Sequence, residues 1–375
     1  MNLDLGKIQF YWRMVKNKED EKCDIPAFLD FEFTYDQELN LIKQNTSDLI
    51  MNTLEEVYKY NYNVGYLQDG HDLAEGYAND FLNFFIKNKE KVEIKSIFEI
   101  GCGGGYLLKK IKDLGEFKIT CLDPSPVALK NKEHFDVVSS FYPCEKFKEK
   151  VDLIIHYDVL EHIDNPVEFL NKHKRNLQSD GYIMFAVPDC SEYLEMGDIS
   201  MVLHEHINYF DKESLELTVQ KAGFSNIEVE QSKHGGVLYC FAQNRCDSIC
   251  LTNSSSKKFI DFKSNYESIQ KKIDLLIKQY TQENKQIGFY VPLRALPYIS
   301  KYDNQNFRFF DDDSGIHKKY FDGFDIAIEN FNDLSKDPTD VVFVMSCSFG
   351  EKIKDKILSN TSVIKVITLK DIFND

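Results

Sequence analysis

Arginine is scarce in this 375-residue chain: Arg13, Arg175, Arg245, Arg294 and Arg308 are five among 45 basic residues. Few bidentate phosphate clamps are therefore available, and each arginine is a candidate for one. Positive charge is outnumbered as well, since 61 acidic residues give a net charge of −16 and a pI near 5.1. Phosphate backbones would be repelled over most of such a surface, which argues against nucleic acid as a partner. No apolar run approaches the roughly 20 residues that cross a bilayer, so no membrane association is expected. The opening stretch MNLDLGKIQFYW lacks the charged-then-apolar order of a secretory leader, and the expected location is the cytoplasm. CxxC pairs are missing too. The nine cysteines are scattered, and the closest pair, Cys246 and Cys250, cannot close a tetrahedral zinc site without a second cluster. Reduced, buried thiols are the expectation, and no metal site is assigned. Nor is there a repeat of the kind that builds a solenoid.

What the chain does have is enough apolar residue for folded cores, at 43% hydrophobic and 13% aromatic, and length for two or three domains. Residues 1–92 are polar and rich in aromatics, with helices expected around Asp36 to Tyr60 and Leu73 to Lys87 and no strand-like alternation. They read as a small N-terminal helical cap. From Ser96 onward, short apolar runs (SIFEI, KITCL, DVVSS, DLIIHYD, GYIMFAV) alternate with amphipathic stretches, which implies a parallel α/β sheet. The runs IEVEQ and LYCFAQ follow without a helix between them, so the sheet should end in an antiparallel hairpin turning at His234-Gly-Gly236. This second domain spans 93–246. A Ser/Asn/Thr-rich tract from Asp247 to Ser256 reads as a linker, followed by a long helix from about Lys257 to Glu283. The strands QIGFYV, FRFFDDD, DIAIEN, DVVFVM and VIKVITL then make residues 247–375 another α/β domain.

The strand SIFEI runs directly into Glu99-Ile-Gly101-Cys-Gly103-Gly-Gly105-Tyr, and a helix begins at once, so a ligand can approach the backbone closely there. The dinucleotide pattern GxGxxG would need glycine at 106, where Tyr106 stands. Glycines at 101, 103 and 105, with the acid Glu99 two residues earlier, instead resemble motif I of class I methyltransferases that use S-adenosylmethionine. The next strand ends in Asp123, 22 residues after Gly101, where an acid can accept both ribose hydroxyls. DLIIHYDVLEHIDNP resembles the fourth-strand segment of that family, in which Asp158 or its neighbouring backbone would face the cofactor. The resemblance thus implies a Rossmann-like methyltransferase sheet with S-adenosyl-L-methionine as cofactor. After the third strand the family often carries an acid for adenine. Here Ser140 or a backbone carbonyl would substitute, and Phe141 is placed to stack on the ring.

After the fifth strand comes His204-Glu205-His206-Ile-Asn-Tyr209-Phe210, then a helix that Asp211 should cap. This loop lies at the carboxyl end of the sheet, where open α/β folds bind ligands. If it is extended, His204 and His206 point the same way with Glu205 opposite, and His162 faces the same cleft; a neutral imidazole there takes a proton near pH 7. Spacing alone does not establish a His/His/Glu metal site. HEHINYF, KESLELTVQKAGF and VLEHI look like the sugar C-methyltransferases that act on nucleotide-linked 4-keto-deoxyhexoses, a three-part family whose C-terminal domain FDDDSGIHKK and DVVFVMSCSFGEKI also resemble. By that resemblance His206 is the base that removes the proton beside the keto group, Glu205 and His162 help hold the sugar, and His204, Tyr209, Tyr62 and Tyr66 are candidate substrate contacts. The chain departs from the family in three places. Its cap holds only Cys23 where the family has zinc-binding cysteines. Leu203 stands where a tyrosine often precedes HEH, and Tyr290-Val-Pro-Leu-Arg294 replaces a C-terminal glycine-rich turn. A sugar or small-molecule O-methyltransferase is the alternative; a cofactor-binding scaffold and an NAD-dependent oxidoreductase are further readings.

Overall fold

Short, nearly continuous apolar runs write the central sheet strand by strand. In Ser96–Ile100 (β1) every residue after the first is buried, with Ile97 and Phe98 on opposite faces, as expected for a strand covered on both sides. The computed structural model describes residues 1–10, 14–15, 25–59, 72–245, 256–302, 306–363 and 365–374. The other strands of this sheet are Lys118–Leu122 (β2), Asp136–Val138 (β3), Val151–Tyr157 (β4), Leu177–Pro188 (β5), Ser225–Gln231 (β6) and Val237–Gln243 (β7). Their spatial order is β3-β2-β1-β4-β5-β7-β6. β7 runs antiparallel to both its neighbours, while β1 to β5 are mutually parallel. The expected end hairpin is present and turns through Gly235 and Gly236, both at positive φ.

Helices cover both faces. Asp48–Lys59 (α1) precedes Asp72–Lys89 (α2), which buries Ala78, Phe81, Phe84 and Phe85, a spacing that makes one helical stripe. That stripe joins Ile97, Leu107, Leu108, Ile111 and Ile155 in one core. On the opposite face Phe98, Ile154, Phe185, Leu215 and Val219 form a second, to which Pro166–His173 (α3) contributes Phe169 and Leu170. The helix Lys212–Lys221 (α4) starts where expected, with the Asp211 carboxylate accepting from Ser214 N at 2.9 Å.

Contacts divide the chain into two units, Met1–Thr34 with Ser191–His204 and Ser256–Asp375, and Tyr35–Cys190 with Glu205–Ser255. These units do not follow the expected linear boundaries at 92 and 246. The first also corrects the reading of the N-terminus, which contains strands. Asn2–Gln9 pairs antiparallel with the strand from Phe28, in register Asn2↔Thr34 to Gln9↔Phe28. The alternation was there to be read: Leu29, Phe31 and Phe33 are buried between Asp30, Glu32 and Thr34.

The rest of the first unit is a parallel sheet built from the five predicted strands, Ile287–Tyr290 (β8), Phe307–Phe310 (β9), Ile328–Glu329 (β10), Val341–Val344 (β11) and Lys365–Thr368 (β12). Their order is β10-β9-β8-β11-β12. The long helix, Lys257–Gln282 (α5), buries Phe259, Phe262, Ile269, Ile273, Ile277 and Tyr280. Gly197 lets the chain pass against it, because a Cβ there would lie 2.2 Å from Tyr266 N. Among the described residues no helix is long and apolar enough to cross a membrane.

Candidate active site

The glycine turn is held by backbone hydrogen bonds, by the Asp123 carboxylate and by Asn131 and Lys109, which donate to Gly103 O and Gly104 O. Gly101, Gly103 and Gly105 all have positive φ, at 77°, 48° and 71°, a region closed to most side chains. Space forbids substitution at two of them. A Cβ on Gly101 would lie 2.9 Å from Val159 Cγ2, and one on Gly105 would lie 2.8 Å from Asn131 and Phe135. The loop is pinned by Gly101 N donating to Leu122 O at 2.7 Å and Gly105 N to Cys102 O at 2.7 Å. Gly105 then opens the helix Tyr106–Lys112.

Asp123, at the end of β2, accepts from Gly103 N at 2.8 Å and from Ser125 N at 2.7 Å. Burial raises its carboxyl above the ordinary value, and these two donors offset only part of that rise. Glu99, 3% exposed, has no such relief: its Oε2 lacks a hydrogen-bond partner among the described residues. Burial, reinforced by the Asp123 charge, pushes its carboxyl up to about 8. Cys102 in the loop and Cys121 on β2 stand side by side, with Cα atoms 6.0 Å apart. Cys144, Cys240 and Cys347 are free thiols, and Cys23, Cys246 and Cys250 lie outside the described residues. Beyond β3, Phe141 is 55% exposed and Ser140 Oγ donates to Phe141 O at 3.2 Å.

The second part of the site grows from the end of β4. Asp158 takes a left-handed conformation (φ 53°), and a turn Leu160–His162 follows. Ile207 N donates to Glu161 O at 2.7 Å, and the Asn208 amide donates to Leu160 O at 3.1 Å and Ile163 O at 2.6 Å. These bonds fasten the segment after β5 onto the β4 turn and set His206 beside His162, with ring centroids 5.1 Å apart. His162 Nδ1 lies 2.7 Å from Glu205 O. A carbonyl only accepts, so Nδ1 carries the proton and the lone pair of the neutral ring sits on Nε2. That Nε2 is 3.6 Å from Glu161 Oε1. Glu161 is 1% exposed; burial first, then the charges of Asp158 and Glu205, hold its carboxyl well above the ordinary range.

Sequence reasoning brought His162, Glu205 and His206 to one place and missed Glu161 and Asn208, although both stand inside quoted motifs. His204 goes elsewhere. Residues 204–205 form a turn, so the side-chain alternation of an extended strand does not hold there. The His204 ring packs edge-on against Phe10 and Phe31, with centroids 5.4 Å away in each case. Its Nε2 is 3.2 Å from Leu29 O, and burial lowers its pKa to about 4. Tyr209, a candidate substrate contact, is 1% exposed on a two-residue strand whose register with Leu41–Gln44 pairs it with Ile42. Tyr62 and Tyr66 lie outside the described residues.

Residues 70–229 match the protein family described as methyltransferase domain. The chain is similar to the ubiquinone biosynthesis O-methyltransferase of Hydrogenovibrio crunogenus, at 23% identity over 27% of this chain and 46% of that protein. It is similar also to the mitochondrial ubiquinone biosynthesis O-methyltransferase of Schizosaccharomyces pombe, at 24% identity over 34% of this chain and 50% of that protein. The chain thus spans about half the length of the curated relatives it matches. Among solved structures it is similar to the N-methyltransferase NodS of Bradyrhizobium japonicum in complex with S-adenosyl-L-homocysteine, at 15% identity, 52% of this chain, 98% of that one and a TM-score of 0.39. The matched segment is similar to a methyltransferase domain, and its glycine loop and Asp123 are residues whose chemistry fits S-adenosylmethionine.

Proposed function

We propose that the chain methylates a nucleotide-linked 4-keto-deoxysugar at carbon, in the cytoplasm, with S-adenosylmethionine as donor and His206 as base. The observation that carries this reading is the His162–His206 pair, set beside the end of β4 by the Asn208 and Ile207 hydrogen bonds. His206 takes the proton from the carbon beside the keto group. The enolate carbon then attacks the sulfonium methyl in line, the C–S bond breaks, and S-adenosylhomocysteine leaves. Little is asked of the protein beyond positioning and one proton transfer. His162, its tautomer fixed by the Glu205 carbonyl, orients the acceptor. Asp123 holds the ribose and, through Gly103, the loop itself; Glu99 and Asp158 flank the cofactor, and Ser140 and Phe141 serve its adenine.

Transfer to oxygen is a second reading, favoured by the names of the relatives and by Leu203, which offers no hydroxyl to a keto oxygen. Incubation with methyl-labelled donor and a 4-keto sugar nucleotide separates the two, because carbon-13 spectra of the product distinguish C-methyl from O-methyl. Label on oxygen, or on nothing, would end the first reading. For the cofactor, Asp123→Asn removes a charged acceptor from two loop amides and from the ribose. Each such bond is worth about 1.5–3 kcal/mol, so affinity for S-adenosylmethionine is expected to fall roughly 10- to 100-fold, as calorimetry would show.

A further inference from the structure

Glu161 is a buried carboxylate whose Oε2 meets no donor among the described residues, although donors of the right kind are close by. One ligand atom from each of Glu161, His162 and His206 lies within 4.8 Å of the other two. Asp158 and Glu205 bring further negative charge to bear on Glu161, so a cation there would be held electrostatically as well as by ligation. The Glu205 carbonyl takes the proton of His162 Nδ1, leaving Nε2 as a lone-pair donor toward Glu161; metal-bound histidines are oriented by the same second bond. The set is two imidazoles and a carboxylate, the composition of one class of catalytic zinc site, with bonds of about 2 Å that would draw the three side chains inward.

We propose that Glu161, His162 and His206 form a binding site for a divalent transition-metal cation of the zinc class. Two nitrogens favour zinc over magnesium, which prefers oxygen ligands. The binding stands on these side chains alone. Its consequence for turnover rests on the reading of His206 as base: a cation on the His206 lone pair displaces the proton it would accept, so the loaded enzyme is inhibited and a chelator restores it.

The test is titration of chelator-treated, tag-free protein with Zn²⁺, and separately with Mg²⁺, followed by calorimetry and metal analysis. One zinc per chain is expected and no magnesium. Glu161→Gln and His206→Ala should each weaken zinc binding at least 100-fold while leaving circular dichroism and S-adenosylhomocysteine binding unchanged, which separates a lost ligand from a lost fold. Binding of less than one zinc, or equal binding by both variants through thiols elsewhere, would overturn the site. If zinc binds stoichiometrically and methyl transfer continues at full rate, the site stands and the assignment of His206 as base fails.

Discussion

Replacing His206 with alanine is expected to lower the rate of methyl transfer by about 10²- to 10⁴-fold while leaving cofactor affinity within a factor of about three. The first figure follows from removing a positioned proton acceptor, about 3–5 kcal/mol of the barrier. The second follows from the construction of the glycine loop, which is held by backbone amides together with Asp123, Asn131 and Lys109. Structure should survive the change, because what fastens that segment is the Ile207 amide and the Asn208 side chain. Single-turnover rates with labelled donor, together with cofactor calorimetry on the same variant, give both numbers. A rate within threefold of the parent would remove His206 from the chemistry. Partial recovery with added imidazole would mark the loss as that of a base. His162→Ala should cost less on its own and add little to His206→Ala, since residues that act as a unit are not additive.

The two halves of this site were unequally legible in the sequence. The glycine phase, Glu99 and Asp123 could be read directly because the requirement is local: positive φ at three positions and an acid at the next strand end. The pairing of His162 with His206 rested on a topological rule, that strand ends share one edge, and the rule held. His204 did not follow, because its direction depended on whether two residues turn or extend, and no pattern in HEHIN distinguishes these. Glu161 was passed over for a different reason. A charged residue beside a histidine reads as solvated, and only the bonds from Ile207 and Asn208 enclose it. The N-terminal strands were missed although Leu29, Phe31 and Phe33 alternate plainly, since the glycine-broken run before them and the surrounding polar residues diluted the signal. Contacts between residues far apart in sequence, such as Tyr298 Oη donating to the buried Asp198 at 2.7 Å, had no sequence trace at all.

Stability should respond to pH in one direction at two buried histidines and in the other at a buried glutamate, and two substitutions separate them. His156 and His173 are both 0% exposed. The His156 ring stacks on Phe185 at 4.5 Å, and neither of its nitrogens has a partner among the described residues. Burial therefore holds its pKa well below the ordinary 6.5, and that of His173 falls to about 3. The unfolded chain binds these protons first as the pH drops, so the stability each imidazole contributes is complete above 6.5 and is lost below it. At pH 5 the loss is about 2 kcal/mol for His173, and His156 loses stability in the same direction. Glu99 behaves in the reverse sense. Its folded pKa of about 8 lies above the 4.5 of the exposed group, so its contribution is complete below 4.5 and is lost as the pH rises to 8, on the order of 4 kcal/mol in the cofactor-free protein. His156→Phe, whatever its constant cost in packing, should therefore gain on the parent between pH 8 and pH 5. Glu99→Gln should gain on the parent between pH 4.5 and pH 8. Denaturant titrations of the three proteins across that range measure both slopes, and parallel curves for parent and variant would show that the group in question titrates alike in the folded and unfolded chain.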